Sequence, residues 1–296
     1  SLRRQRQMCI RDRVSIGPEA VQWNKFGGIV GSWVVTPAIS GIIAYFMFIS
    51  VQKLIFNTDN PLDNAKRYVP FYMFLTSLVI CLVTIKKGLT HVGLHLSNGE
   101  GALLSVAISI AVAFAGWIYI RGQQYNPKDD SKMHFANVEK VFGILMIITA
   151  CAMAFAHGSN DVANAIGPLS AVASIVAAGG EIGGSSHIAW WILPLGGIGI
   201  VIGLATMGEK VMATVGTGIT HLTPSRGFAA QLATAATVVI ASGTGLPIST
   251  TQTLVGAVMG VGLARGIAAL NLGVLRNIVV SWVITLPAGA ILAIAI

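Results

Sequence analysis

The sequence predicts an all-α, polytopic helical membrane protein with a broken helix, a re-entrant helical hairpin and an internal repeat. Three observations predict it. Apolar residues make up 54% of the 296 and charged residues 10%, about half the charge that a soluble chain carries. Several apolar runs approach about 20 residues, the length that crosses a hydrocarbon core near 30 Å. Glycine, with 34 copies, is abundant and suits close helix contacts in lipid.

The first thirteen residues hold Arg3, Arg4, Arg6, Arg11 and Arg13 against Asp12, half of the net charge of +8. This reads as a positive flank at a membrane surface, not a nucleic-acid patch. Gln7-Met8-Cys9-Ile10-Arg11-Asp12-Arg13 also looks like translated adapter sequence, so 1–24 is set apart as a basic tail. Cys9, Cys81 and Cys151 show no CxxC or metal spacing, and the last two read as small packing residues.

A first span is expected over 29–49, with Pro37 inside it, as bilayers tolerate. A polar loop with Asn60-Pro61 turn chemistry should follow over 57–67. Spans over 68–85 and 101–120 end at Lys86-Lys87 and at Arg121. Residues 123–134 read as an exposed loop, then come apolar stretches over 138–155 and 160–178 and a span over 188–207. Residues 211–222 read as an interfacial segment or half-span. Trp117, Trp190 and Trp191 suit interface anchors, and Glu139, Glu181 and Glu209 suit solvated loops. The last span is expected over 277–296.

Between two short apolar arms, 227–242 and 250–264, lies Gly243-Thr244-Gly245-Leu246-Pro247-Ile248-Ser249-Thr250-Thr251-Gln252. It is too hydroxyl-rich to face lipid and too rich in Gly and Pro to be helical throughout. A re-entrant hairpin with a mid-membrane tip satisfies both constraints.

Ile29 to Thr36 (IVGSWVVT) aligns with Ile278 to Thr285 (IVVSWVIT), with Pro37 and Pro287 one residue out of register. Repeats are a common construction of secondary transporters. Nothing comparable precedes the first copy, so the expectation is a first repeat that has lost its front. The organisation expected is a tail over 1–24, the end of the first repeat with central spans over 25–135, and a second repeat over 136–296.

Two stretches carry the chemistry. Asp161 is the only carboxylate between Glu139 and Glu181 and sits in an apolar region. A charge at the bilayer centre costs about 2.5–3.5 kcal/mol or more and marks function by default. Asn160 and Asn164 add amide oxygens, and such a set suits a hard cation. Gly158, Gly167 and Pro168 are expected to break the helix there. His157, four residues before Asp161, reads as a proton relay or as a hydrogen-bonded core histidine.

At the hairpin, Ser249, Thr250, Thr251 and Gln252 would stand at a helix N-terminus, where free N–H groups and the dipole favour an anion. No Lys or Arg lies within ten residues on either side. The charge of a bound anion must then be balanced by cations that arrive with it.

His157-Gly158-Ser159-Asn160-Asp161-Val162-Ala163-Asn164-Ala165-Ile166-Gly167-Pro168 resembles the signature of the inorganic phosphate transporter (PiT) family. Gly245-Leu246-Pro247-Ile248-Ser249-Thr250-Thr251-Gln252-Thr253-Leu254-Val255-Gly256 resembles its second signature. The Ser-Trp-Val copies with a following proline fit as well, and the likeness covers everything after Trp23. It implies phosphate import by symport with sodium or protons, in some members as a metal–phosphate complex, by a multi-pass protein of the bacterial inner membrane. It implies phosphate contacts from Ser249, Thr250, Thr251 and Gln252, and a coupling cation held by Asn160, Asp161 and Asn164. It implies no organic cofactor, no enzymatic activity and no nucleic-acid partner, and leaves a homo-oligomer open.

This chain departs from the family in carrying one Asn-Asp motif and one Ser-Thr-Thr tip where the family has two of each. Gln252 stands where many members have histidine. The competing readings are an anion channel built on the same hairpin, and a membrane-embedded hydrolase using Ser249, His157 and Asp161. The hydrolase reading lacks a nucleophile-elbow context.

Overall fold

A computed structural model describes residues 23–84, 98–123, 125, 135–177, 189–244 and 248–295. The described elements are helical. They are α1 (Trp23–Val51), α2 (Pro61–Val83), α3 (Asn98–Gly122), α4 (Ala136–Ala177), α5 (Ile192–Ala213), α6 (Pro224–Thr244), α7 (Thr250–Ala264) and α8 (Leu272–Ala295). Six stretches of the described residues are long and apolar enough to cross a membrane: Gly27–Phe56, Pro61–Leu82, Gly99–Gly122, Ala136–Phe155, Ile192–Ile219 and Leu272–Gly289. The chain divides into two compact units. One gathers Trp33–His157 with Thr220–Leu270; the other gathers Ser1–Ser32, Gly158–Ile219 and Asn271–Ile296.

In the first of these units, α1 buries a stripe of Thr36, Ser40, Ala44, Phe48 and Val51, while Val34, Ile42 and Phe46 on other faces are exposed. Apolar residues outward and small hydroxyls inward is what lipid as solvent selects. The helix ends in a π-helical turn, Gln52–Phe56. There Phe56 stacks on Phe142 of α4, Phe142 meets Phe228 of α6, and Phe228 meets Tyr72 of α2 edge-on. This aromatic cluster is the core of the unit. The Tyr72 hydroxyl pairs with Ser50 Oγ at 2.8 Å, so it is not buried without a partner.

The expected loop over 57–67 is shorter than the sequence suggests. Pro61 opens α2 directly after Asn60, because its fixed φ and missing N–H suit the first helical position. The α3 helix turns Gly101, Ser105, Ser109, Gly116 and Ile120 inward. The Ser105 and Ser109 hydroxyls donate to the carbonyls of Gly101 and Ser105, at 2.7 and 2.6 Å. A Cβ on Gly116 would stand 2.8 Å from Cε of Met73, so its absence lets α2 and α3 close on each other.

The expected helix break around the Asn-Asp motif is corrected by the structure. One α-helix runs through Gly158, Gly167 and Pro168 for 42 residues. A helical Gly costs only about 1 kcal/mol. A helical Pro costs about 3 kcal/mol, and such local propensities are weak priors that tertiary context overrides.

In the other unit, α5 passes straight into a π-helical turn, Thr214–Ile219. The segment read as a separate interfacial piece over 211–222 is thus largely the end of this helix. The Asn271 N–H donates to the Ile219 carbonyl at 2.9 Å. The Asn271 side chain then accepts from Gly273 and Val274, both at 3.2 Å, and starts α8. Trp190 and Trp191 precede α5 and are exposed, Trp190 by 84%, as interface anchors are. The two aligned stretches fall on α1 and α8. Ser32 and Thr36 are buried on α1, whereas Ser281 and Thr285, their counterparts, are exposed on α8.

Candidate functional site

The hairpin arms α6 and α7 pack against each other within one unit. At about 1.5 Å per residue, the 15 residues of α7 span roughly 22 Å, short of a hydrocarbon core near 30 Å. Three attachments fix the arms. At the base of α6, Glu139 of α4 accepts from the Ser225 N–H and from the Ser225 hydroxyl, each at 2.8 Å. This corrects the reading of Glu139 as a solvated loop charge: it accepts from a buried backbone donor of the helix start that has no partner within the helix, where the dipole favours a carboxylate. Its neighbour Arg226 donates to the His221 carbonyl at 2.9 Å. Burial first, then the nearby Arg265, pushes the Arg226 guanidinium below its usual range, while Glu139 works the other way. Higher on α6, Gln231 accepts from Thr149 of α4 at 2.8 Å.

At the other end, Ile248 is buried with Val238 and Ala241 of α6. That anchor delivers Ser249 in extended backbone (φ −93°, ψ 113°) as the N-cap of α7. Ser249 Oγ accepts from the Gln252 N–H at 3.3 Å, and the Ser249 carbonyl accepts from both the backbone and the hydroxyl of Thr253. The Ser249 O–H keeps its own donor. Thr250 is buried and Thr251 exposed. Gln252 has its amide oxygen buried without a hydrogen-bond partner among the described residues, a group that costs about 1–3 kcal/mol until something donates to it or binds it. The tip therefore combines a helix N-terminus, hydroxyls and one orphaned amide, with no ionisable side chain in the sequence around it. That set can hold an anion through neutral donors, and it leaves one oxygen for a proton or a cation.

Ser249, Thr250, Thr251 and Gln252 thus come together at one helix start. Gln252 was expected as a donor, and its unpaired oxygen adds a role that residue type alone did not reveal. Asn160, Asp161 and Asn164 lie on the helical backbone of α4, in the other unit. The i, i+4 spacing puts Asn160 and Asn164 on one helix face. Their side chains, and that of His157, lie outside the described residues, as do residues 245–247 of the hairpin linker.

Six candidate spans among the described residues, with a short capped helical arm beside them, mark a polytopic membrane protein. Comparison with known proteins specifies it. The model of the "Phosphate transporter family" matches residues 13–293. A Haemophilus influenzae protein described as "Putative phosphate permease" is 64% identical over 283 residues, covering 96% of this chain and 67% of its own length. A protein of the same description from Pyrococcus abyssi is 41% identical, covering 95% and 67%. The solved structure titled "The sodium-dependent phosphate transporter" superposes with a TM-score of 0.82 at 41% identity, over 96% of this chain and 68% of that one. The chain belongs to the phosphate transporter family, a family of membrane transporters and not of enzymes. It spans about two thirds of the length of these relatives.

Proposed function

We propose that this chain takes part in the import of inorganic phosphate by sodium symport across a bacterial inner membrane. Ser249, Thr250, Thr251 and Gln252 contact phosphate, and Asn160, Asp161 and Asn164 hold the coupling cation. Support for the anion site is the N-cap geometry of Ser249 at an uncharged helix start. In a protein-lined site, N–H groups, hydroxyls and the helix dipole stabilise a phosphate oxygen without a fixed positive charge. The orphaned oxygen of Gln252 accepts from the hydroxyl of a singly protonated phosphate. Sodium is favoured over protons by the sodium-dependent structural neighbour and because Gln252 does not titrate.

In this reading α6 and α7 form a re-entrant hairpin, and residues 136–296 act as the second of two related repeats, after a basic tail over 1–24 and central spans over 25–135. Phosphate as a metal complex and a homo-oligomeric assembly are compatible with the same site. The test is uptake of radiolabelled phosphate into proteoliposomes holding the chain. Saturable uptake that needs an inward sodium gradient is expected. A non-saturating phosphate current without sodium would make the protein a channel instead, and no uptake at all would reject transport by these 296 residues.

A further inference from the structure

We infer that the outer face of the α2–α3 pair is a binding site for an anionic phospholipid. An open groove of about 440 Å³ runs between the two helices, lined by Pro70, Phe71 and Phe74 of α2 and by Ile110, Phe114 and Trp117 of α3. Phe71 and Phe114 are 60% and 61% exposed, so the groove opens outward. Both helices are long and apolar enough to cross a membrane, which sets an outward-facing groove at the depth of lipid tails.

The groove ends in positive charge. On α2, Arg67, Phe71 and Phe74 follow at i, i+4 and i+7; on α3, Ile110, Phe114, Trp117 and Arg121 follow at i, i+4, i+7 and i+11. Each series stays on one helix face. The start of α2 lies beside the end of α3, because Lys66 rests over the Tyr125 ring at 4.5 Å and Gly116 abuts Met73. Arg67 and Arg121 therefore stand at the same end of the pair, the Arg67 guanidinium resting 5.8 Å over the neighbouring Tyr68 ring, from which it can turn to a headgroup. Arg121 lies over the Trp117 ring at 4.0 Å, and Trp117 stacks on Phe114 at 5.8 Å. That ladder carries the guanidinium from the aromatic wall to the rim. Asp63, exposed one turn further out on α2, lies on the far side of Arg67 from the groove.

The physics then decides which lipid is held. A lipid tail meets apolar surroundings wherever it lies in a bilayer, so the groove alone gives packing and no hydrophobic gain. Selection rests on the headgroup. Arg binds phosphate with two parallel, charge-assisted hydrogen bonds, and basic pockets between spans recognise anionic headgroups. A zwitterionic lipid offers the same phosphate but brings an ammonium group towards Arg67, Arg121 and Lys66.

The experiment uses the purified 296-residue chain in detergent, with phosphatidylglycerol or phosphatidylcholine added and bound lipid counted by native mass spectrometry. Phosphatidylglycerol should bind more tightly, and the preference should fall as salt is raised, which needs no variant. Joint Arg67→Gln and Arg121→Gln should weaken phosphatidylglycerol roughly thirty-fold and leave phosphatidylcholine unchanged. Ala113, on α3, also lines the groove, and Ala113→Trp, which fills it, should weaken both. Equal binding of the two lipids, a salt-independent preference, or unchanged phosphatidylglycerol binding in the double variant would overturn the site.

Discussion

The Cβ that Gly41 lacks would lie 2.9 Å from the carbonyl oxygen of Gly256. The relationship is mutual. A Cβ on Gly256 would meet the backbone of Pro37, and one on Gly260 would meet the backbone of Gly41. Gly256 and Gly260, four apart on α7, thus lie directly on α1, the close crossing that small residues allow in membranes. It fixes the arm whose first residues are the candidate anion site.

The first prediction follows. Gly256→Ala should destabilise the protein by about 1–3 kcal/mol, because a backbone neighbour cannot step aside as a side chain can. Gly203→Ala, on α5 with open space around it, should be neutral or slightly stabilising, since it removes backbone freedom without a clash. Thermal unfolding in one detergent, followed by circular dichroism, separates the two.

Glu139 supplies the second. Its two hydrogen bonds to Ser225 tie α4 to the start of α6. Bonds to a charged group are worth about 1.5–3 kcal/mol each. Glu139→Ala should therefore cost more than Ser225→Ala, which keeps the backbone N–H bond. Equal melting temperatures for both variants and the parent would show that the contact does not anchor the hairpin.

The membrane class was legible because composition reports the solvent directly. The start of α7 was legible because Ser249 is a preferred cap residue standing just before an apolar run. The course of α4 was not, since helix propensity at Gly158, Gly167 and Pro168 is a weak local signal that tertiary context overrides. Glu139 was misread because its partner is 86 residues away, and periodicity carries no tertiary contact. The oxygen of Gln252 was missed for the same reason: that it lacks a donor depends on what packs around it, not on its residue type.

The third prediction concerns the cation. Asp161 is the one carboxylate in a long apolar stretch. Asp161→Asn keeps the size and removes the charge that a sodium ion would neutralise. Sodium-stimulated phosphate uptake should be lost at unchanged membrane abundance. Uptake equal to the parent's would place the coupling cation elsewhere.

The last prediction separates the two roles of Ser249. As an N-cap it accepts from the Gln252 N–H, and as a site residue its O–H would donate to phosphate. Ser249→Ala removes both. It should cost about 1 kcal/mol of stability, and the lost donor should weaken phosphate binding roughly ten- to hundred-fold. Ser249→Asp pulls the roles apart. Aspartate caps a helix as well as serine does, and its charge favours the N-terminal end of the dipole. The aspartate variant should therefore unfold at or above the temperature of the parent. The same carboxylate has no proton to donate and would repel an arriving phosphate, so phosphate binding should fall further than in Ser249→Ala. The order of stability (Asp at or above Ser, above Ala) and the order of affinity (Ser above Ala, above Asp) should thus differ. Phosphate-dependent thermal shift and direct binding of radiolabelled phosphate read the two separately. If affinity follows stability across the three residues, Ser249 is a helix cap alone and the anion is held elsewhere.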